Sequence, residues 1–460
     1  MGARARSRLR RTDAPLSLLA ALALTACSDS ERQPDDDPVD ASLVADAFVW
    51  GYPLVVSERT MQTFAGLIGV NALFNQDKPA TASTQLIVSP NQDTLYSVAV
   101  LDLRSEPVVL TVPDVTDRYW TYQFLDAWTT SFHYLGTRAT GGMGGTFVIA
   151  PPEWEGELPP DAELVRSPTA QMFLLGRYLF HDEADIANVA ELTRTVAPLH
   201  EVTGAPPPAD PPPFGKAPGK PTEVGTEGAA FFDELGDALQ INAPASDADV
   251  SALARFAPLG IGPGLHPAAA ANEATRSALE AGVDSGSARI EDALASTAQQ
   301  VNGWTAYLDL DGDDPLLRAA IARAAWGANV PAEAVYAISI ADSGGAPYTG
   351  TNAYVVRFEA GQLPPVDADS GFWSLTLYGP DRFFVDNPLD RYAIGDRTAG
   401  LVYGTDGSLE IHIQNEAPIG EESNWLPAPA GEFTLMLRLY LPSEQVLSGS
   451  YPYPAVVATN

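Results

Sequence analysis

The chain has 460 residues, a single cysteine, and 59 acidic against 26 basic side chains, for a formal net charge of −33 at pH 7. So acidic a molecule is repelled by phosphate backbones and anionic head groups, which removes nucleic acid from the expected partners, and one thiol excludes an intramolecular disulfide. A chain of this length exceeds what one core usually organises, so two domains are the default.

The first residues read as an export signal. Arg4, Arg6, Arg8, Arg10 and Arg11 precede an apolar run from Leu16 to Leu24, followed by Thr25-Ala26-Cys27. A basic stretch, a short apolar run and small residues before a cleavage point make a secretory signal, and the run is too short to span a bilayer. Leu24-Thr25-Ala26-Cys27 resembles the bacterial lipobox, which implies an acylated Cys27 as the mature N-terminus and a membrane partner reached only through that lipid. Arg10-Arg11 hints at twin-arginine export, yet the residues after that pair fit such a signal poorly, and the general secretory route is the expectation. Ser28 supplies no acidic retention signal for the inner membrane, so the outer membrane or the periplasmic face is the expected location. Losing residues 1–26 removes five Arg and one Asp, leaving a still more acidic body. That acidity serves either solubility and salt tolerance or the recognition of a cationic partner.

Residues 27–40 are polar, acidic and proline-containing, as a flexible tether should be. From Ala41 to about Leu67 the apolar positions Val44, Phe48, Val49, Tyr52 and Val55 recur at helical spacing, with Pro53 expected to kink the helix. Between Thr84 and Pro151 the chain turns to short β-rich runs, TQLIVS, LYSVAVLDL, PVVLTV, RYWTYQFLDA, SFHYLGTR and TFVIAPP, with no helices between them. That texture predicts an antiparallel sandwich rather than βαβ units. MFLLGRYLF, 172–180, suits either a buried helix or a strand, and HDEADIANVAELTRTVAPL reads as helix.

Residues 203–223 are the most proline-dense part and form a loop or linker. Beyond them Gly228 to Gln300 is alanine-rich and helical, with a cap at Ser246 and a glycine-rich turn at LGIGPG, 259–264. From about Ala334 the pattern is β again. FTLMLRLYL sets Phe433, Leu435, Leu437, Leu439 and Leu441 against Thr434, Met436, Arg438 and Tyr440, and LEIHIQN alternates likewise, which predicts half-buried strands in an antiparallel sheet. The expected organisation is a signal at 1–26, a tether at 27–40, an N-terminal helix plus sandwich at 41–199, a proline-rich and helical segment at 200–333, and a C-terminal sandwich at 334–460. The fold class is therefore α+β, mainly β, with two antiparallel β-sandwich modules, jelly-roll-like, joined by a helical segment.

Several blocks carry a family resemblance. SPNQDTLYSVAVLDL (89–103), VPDVTDRYW (112–120), GTRATGG (136–142), SPT (167–169) and GR (176–177) resemble the module known as domain of unknown function 1254. FWSLTLYG (372–379), DNPLDRYAIGDRT (386–398), DGSLEIHIQN (406–415), NWLPAP (424–429) and LRLYLP (437–442) resemble its usual companion, domain of unknown function 1214. The chain departs from the pattern in its longer proline-dense linker and in Tyr451-Pro452-Tyr453-Pro454, where a Trp-containing ending is usual. The resemblance implies a sandwich, a helical middle and a jelly-roll-like module in an exported bacterial protein. It implies no agreed reaction.

For chemistry, the five histidines, His133, His181, His200, His266 and His412, lie far apart with no partner at ligand spacing, and DLDGDD (309–314) lacks the closing Glu of a calcium loop, so neither a metal nor a cofactor is expected. There is no G-x-S-x-G elbow and no phosphate loop. Two polar clusters stand out. In the first module Asn91 is a ligand-binding candidate, and Arg118 and Arg138 are candidates for a carboxylate- or sugar-binding fork with Asp93 or Asp126 as general base; alternatively these residues hold turns and ion pairs. In the second, Asn387, Arg391, Asn424, Trp425 and Arg438 offer stacking and hydrogen bonds to a glycan or aromatic ligand, or else Trp425 plugs the end of the sandwich. The expected function is a lipid-anchored extracytoplasmic protein binding a small molecule, glycan or envelope partner, with a cofactor-independent hydrolase or lyase as the alternative. Self-association is compatible with either.

Overall fold

In the computed structural model, which describes residues 40–84, 89–209, 212–308 and 314–459, Asp40 opens the first element by accepting a hydrogen bond from the Ser42 amide at 2.9 Å. Cys27, the signal peptide and the tether as far as Val39 lie outside the described residues, as do most of TQLIVS and DLDGDD. Helix α1 (Ala41–Ile68) then runs without interruption through Pro53. It is apolar on nearly every side, and a helix of that kind has to be buried all round.

Burial is supplied from two directions. One side faces α2 (Phe231–Ile241), α3 (Asp247–Phe256), α4 (Glu273–Thr297) and α5 (Pro315–Ala325), in a core that includes Phe48, Trp50, Phe231 and Leu235. The other side meets the outer face of the first sheet through Val98, Val100, Leu125, Phe173 and Leu175. Each large apolar side chain so enclosed contributes roughly 1.5–3 kcal/mol. The charged exceptions on α1 are paired: Arg59 forks onto Glu234 at 2.8 and 2.6 Å and reaches Glu227, while Glu58 accepts from Asn242 at 2.6 Å. Ser246 caps α3 as expected, accepting from the Asp249 amide.

The first sandwich is built from β1 (Phe74–Asn75), β2 (Thr94–Asp102), β3 (Val108–Val112), β4 (Trp120–Asp126), β5 (Ser131–Gly136), β6 (Gly145–Ala150), β7 (Ala162–Arg166), β8 (Gln171–Leu179) and β9 (Thr195–Pro198). They form a five-stranded sheet in the order β1-β2-β8-β4-β5 and a four-stranded sheet in the order β7-β6-β3-β9. Leu95, Leu101, Leu110, Phe124, Phe147 and Leu174 fill the space between the two sheets. MFLLGRYLF is thus a strand, central in its sheet. The helix expected over HDEADIANVAELTRTVAPL is confined to one turn of 3-10 helix and Ile186–Ala190, because Thr195–Pro198 pairs with the edge of β3, where β-branched residues fit and a proline is tolerated.

The second sandwich uses β10 (Gln299–Val301), β11 (Trp304–Ala306), β12 (Ala334–Ser339), β13 (Tyr354–Phe358), β14 (Phe372–Tyr378), β15 (Ala393–Gly395), β16 (Leu409–Gln414), β17 (Trp425–Pro427), β18 (Thr434–Tyr440) and β19 (Val456–Ala458). A six-stranded sheet, β10-β11-β12-β18-β14-β15, faces a four-stranded sheet, β17-β16-β13-β19, across a core of Val356, Leu375, Ile411, Leu435, Leu437 and Leu439. The chain is an α+β fold with two sheet-rich regions, and its sheets are not purely antiparallel: β6 pairs with β7, and β16 with β17, in parallel. No described helix is long and apolar enough to cross a membrane.

Candidate functional site

Strand alternation decides what the two modules present to one another. On β2, β4 and β8 the residues opposite the sandwich core include Tyr96, Gln123 and Arg177, with Tyr96 directly across from Arg177 and Gln123 diagonal to it. On β12, β14 and β18 the residues opposite the second core include Tyr336, Ser374, Thr376, Tyr378, Arg438 and Tyr440. The two outer faces meet, and the segment Ser89-Pro90-Asn91-Gln92-Asp93 stitches them together. Pro90 O accepts from Tyr378 OH at 2.6 Å, Ser89 O from Arg438 Nη2 at 2.7 Å, and Asp93 Oδ2 from Ser374 Oγ at 2.7 Å. Gln92 exchanges bonds with Asp390 O and the Tyr392 amide. An aromatic cluster of Tyr119, Phe372 and Tyr440 seals one side, with Phe372 stacked on Tyr440 at 4.2 Å.

Within this seam lie two buried guanidiniums whose every partner is neutral. Arg177, 5 % exposed, donates to Gln123 Oε1, Asn329 Oδ1 and Gly327 O at 3.2, 2.9 and 2.9 Å. Arg438, 2 % exposed, donates to Thr376 Oγ1, Ser89 O and Tyr378 OH. A guanidinium cannot be neutralised in a protein, so both charges persist. The nearby carboxylates are already engaged by other arginines: Asp93 with Arg397 at 2.7 Å, Asp396 with Arg397 at 3.5 Å, and Glu333 with Arg138 at 2.5 Å. Four guanidiniums therefore face three carboxylates, a local positive excess inside a strongly acidic chain.

Three phenols complete the arrangement. The hydroxyls of Tyr96 and Tyr440 both accept from Asn91 Nδ2, at 2.9 and 3.1 Å, and that of Tyr336 accepts from Asn329 Nδ2 at 3.1 Å. None of the three has an acceptor for its own hydrogen among the described residues. Burial holds the Tyr440 hydroxyl well above its ordinary pKa and pushes Tyr378 up to about 12, so these two phenols supply no counter-charge. Tyr96 and Tyr336 are half-buried rather than enclosed. Two cations and three spare O–H donors with no free acceptor form an environment complementary to an oxyanion.

The sequence-derived candidates distribute unevenly over this site. Asn91 and Arg438, assigned to separate modules, come together here, and Asp93 is adjacent through Ser374 and Arg397. Arg118 and Arg138 do not close into a fork: Arg118 is held by Asp117 and Asp185, and Arg138 by Glu333, so they share no partner. Asp126 is a turn residue, its Oδ1 accepting from the amides of Trp128 and Thr130 at 2.9 and 2.8 Å, and burial pushes its carboxyl up to about 7. Asn387, Arg391, Asn424 and Trp425 do share one neighbourhood, but their polar groups are spent on backbone. Arg391 Nη1 donates to the carbonyls of Glu422, Ser423 and Trp425, Asn424 bridges Val402 and Glu410, and Trp425 Nε1 donates to Gln414 O. Among the described residues no three His, Cys, Asp or Glu side chains gather as a metal site.

Reading the sequence alone missed Arg177, Tyr96, Tyr336 and Arg397. One signal was available: an arginine inside the otherwise apolar run MFLLGRYLF is a buried charge in waiting.

The fold is matched by a solved structure, and a second is more distantly similar. The VPA0106 protein from Vibrio parahaemolyticus superposes with a TM-score of 0.71 at 24 % identity, over 91 % of this chain and 100 % of that one. An uncharacterized protein from Burkholderia cenocepacia gives a TM-score of 0.46 at 15 % identity, over 90 % and 89 %. No curated protein matches. The family model described as Protein of unknown function (DUF1254) matches residues 70–198, and Protein of unknown function (DUF1214) matches residues 333–444. With both modules matched in the same order as in the sequence blocks, this chain belongs to the family of proteins that pair an N-terminal DUF1254 domain with a C-terminal DUF1214 domain.

Proposed function

We propose that this protein is exported, is anchored through an acylated Cys27, and binds a small oxyanion-bearing molecule, a carboxylate or a phosphate or sulfate ester, in the seam between its two modules. The observation that carries the ligand class is the donor-only seam: Arg177 and Arg438 without a carboxylate, beside the free hydroxyl hydrogens of Tyr96, Tyr336 and Tyr440. Burying an ion costs several kcal/mol even after relaxation, and neutral partners return only part of that. A ligand oxyanion would restore the balance, and the half-exposed aromatic rings suit an apolar or aromatic body attached to it. Export and lipidation rest on residues 1–27 of the sequence.

The test is calorimetric titration of the purified protein with a panel of carboxylates and phosphate and sulfate monoesters, repeated on Arg438→Met and Tyr440→Phe. The expected result is saturable binding by at least one class, weakened tenfold or more in Arg438→Met and less in Tyr440→Phe. Equal affinity in all three proteins would remove the seam as the binding site. For the anchor, mass spectrometry of the native protein should find a diacylated or triacylated Cys27 at the N-terminus.

A second reading is favoured by the position of Asp93, whose carboxylate meets both Ser374 Oγ and the Arg397 guanidinium at the rim of the same seam. On that reading the protein is a cofactor-independent hydrolase or lyase with Asp93 as the base. A bound ligand recovered chemically unchanged after long incubation would leave only the binding role, whereas turnover abolished in Asp93→Asn would establish catalysis.

A further inference from the structure

Arg194 stands just before β9 and turns into the first sandwich, where it is 4 % exposed. Its Nε, Nη1 and Nη2 all lack a hydrogen-bond partner among the described residues. The Tyr178 ring lies beneath it, 4.7 Å from Cζ to centroid, and the buried hydroxyls of Tyr178 and Tyr122, which lie near each other and near Ser97, form no well-aligned hydrogen bond. Space for the Tyr122 ring comes from Gly176 on the neighbouring strand, where an added Cβ would lie 2.5 Å from that ring. Tyr178 in turn stacks on Trp120 at 5.4 Å.

A cation over an aromatic face gains about 0.5–2 kcal/mol, less than the several kcal/mol that burying a guanidinium costs. Stacking on Tyr178 therefore does not account for a guanidinium left with no hydrogen bond. The tyrosines bring no charge either, since burial pushes Tyr122 up to about 12 and raises Tyr178 well above its usual value. What the three side chains have in common is donors without a well-aligned acceptor: the guanidinium N–H groups and two buried phenolic O–H groups.

We infer that Arg194, Tyr122 and Tyr178 form a binding site for a small inorganic anion, with chloride the simplest occupant, inside the first sandwich and separate from the seam. The anion neutralises the guanidinium and accepts from the phenols, and so couples the edge strand β9 to the sheet that carries β4 and β8. Because it binds the folded state, its occupancy appears as stability that depends on chloride concentration.

The full-length protein is freed of halide in sodium gluconate and melted by scanning calorimetry while chloride replaces gluconate at constant ionic strength. The expected result is a saturating rise in Tm of about 3 °C, accompanied by excess broadening of the chloride-35 NMR line. Both effects should vanish in Arg194→Gln and persist in Arg438→Met, which separates this site from the seam. If Arg194→Gln does not fold, Tyr178→Phe removes a single hydroxyl and should weaken chloride about three- to tenfold. A wild-type Tm indifferent to chloride, or a shift retained in full in Arg194→Gln, overturns the assignment. So does a shift lost in Arg438→Met alone.

Discussion

Asn91 donates through its side-chain amide to the phenolic oxygen of Tyr440 at 3.1 Å, joining two residues 349 positions apart in the chain. The same amide also serves Tyr96 and Thr94, while Asn91 Oδ1 accepts from the backbone amides of Asp93 and Thr94. One side chain thus shapes the turn into β2 and orients two of the three phenols of the seam.

Replacing it tests that double role. Asn91→Ala leaves buried groups on both modules unsatisfied, each at about 1–3 kcal/mol. Equilibrium unfolding in urea should show a loss of at least about 2 kcal/mol, with a matching loss of seam ligand affinity. Asn91→Asp, which keeps the acceptor but sets a carboxylate beside two guanidiniums, should retain the turn and occupy the charge that the ligand would otherwise meet.

The arginines of the seam should not behave alike. Arg397→Met leaves Asp93, 7 % exposed, with Ser374 as its remaining side-chain partner, and stranding a buried charge costs about 3–5 kcal/mol. Arg438→Met removes a charge that has no carboxylate to strand, so its cost is confined to the lost hydrogen bonds, about 1–3 kcal/mol. Urea midpoints of the two variants, measured without ligand, should place Arg397→Met well below Arg438→Met.

Glu58 predicts a dependence on pH. Burial on α1, opposed by its bonds from Asn242 and Gln62, pushes its pKa from 4.5 up to about 7. Between those values the folded protein holds a proton that the unfolded chain has released, so stability from this group falls as pH rises through the window and levels off above 7. Glu58→Gln cannot ionise. It should flatten that part of the slope and be more stable than the parent at pH 8, by up to about 3 kcal/mol, with little difference near pH 4.5. Urea unfolding of both proteins at pH 5 and pH 8 measures it.

Gly236 on α2 lies against the loop that comes after α3: a Cβ built there would be 1.9 Å from the carbonyl oxygen of Leu265. Backbone cannot rotate aside as a side chain can, so Gly236→Ala has to displace the loop. A destabilisation of at least about 2 kcal/mol is expected, against the gain of up to about 1 kcal/mol that alanine brings to an unhindered helix position. Thermal unfolding would show it as a fall in Tm of several degrees.

Much of the molecule was legible from residue order because its information is local. The recurrence of Val44, Phe48, Tyr52 and Val55 at helical spacing specified a helix, Ser246 marked a cap, and the alternation of Leu435, Leu437 and Leu439 with Arg438 and Tyr440 specified a strand and its two faces. Periodicity cannot say what the second face touches. Arg438 and Tyr440 read as the solvent side of a half-buried strand, yet the other module covers them, because Ser89 to Asp93 runs across that face and ties it down. The pairing of Arg177 with neutral amides, the separate carboxylates of Arg118 and Arg138, and the solitude of Arg194 are likewise matters of long-range proximity. Charge balance at a point in space depends on which distant side chains converge there, and that is decided only when the two sandwiches and the helices pack.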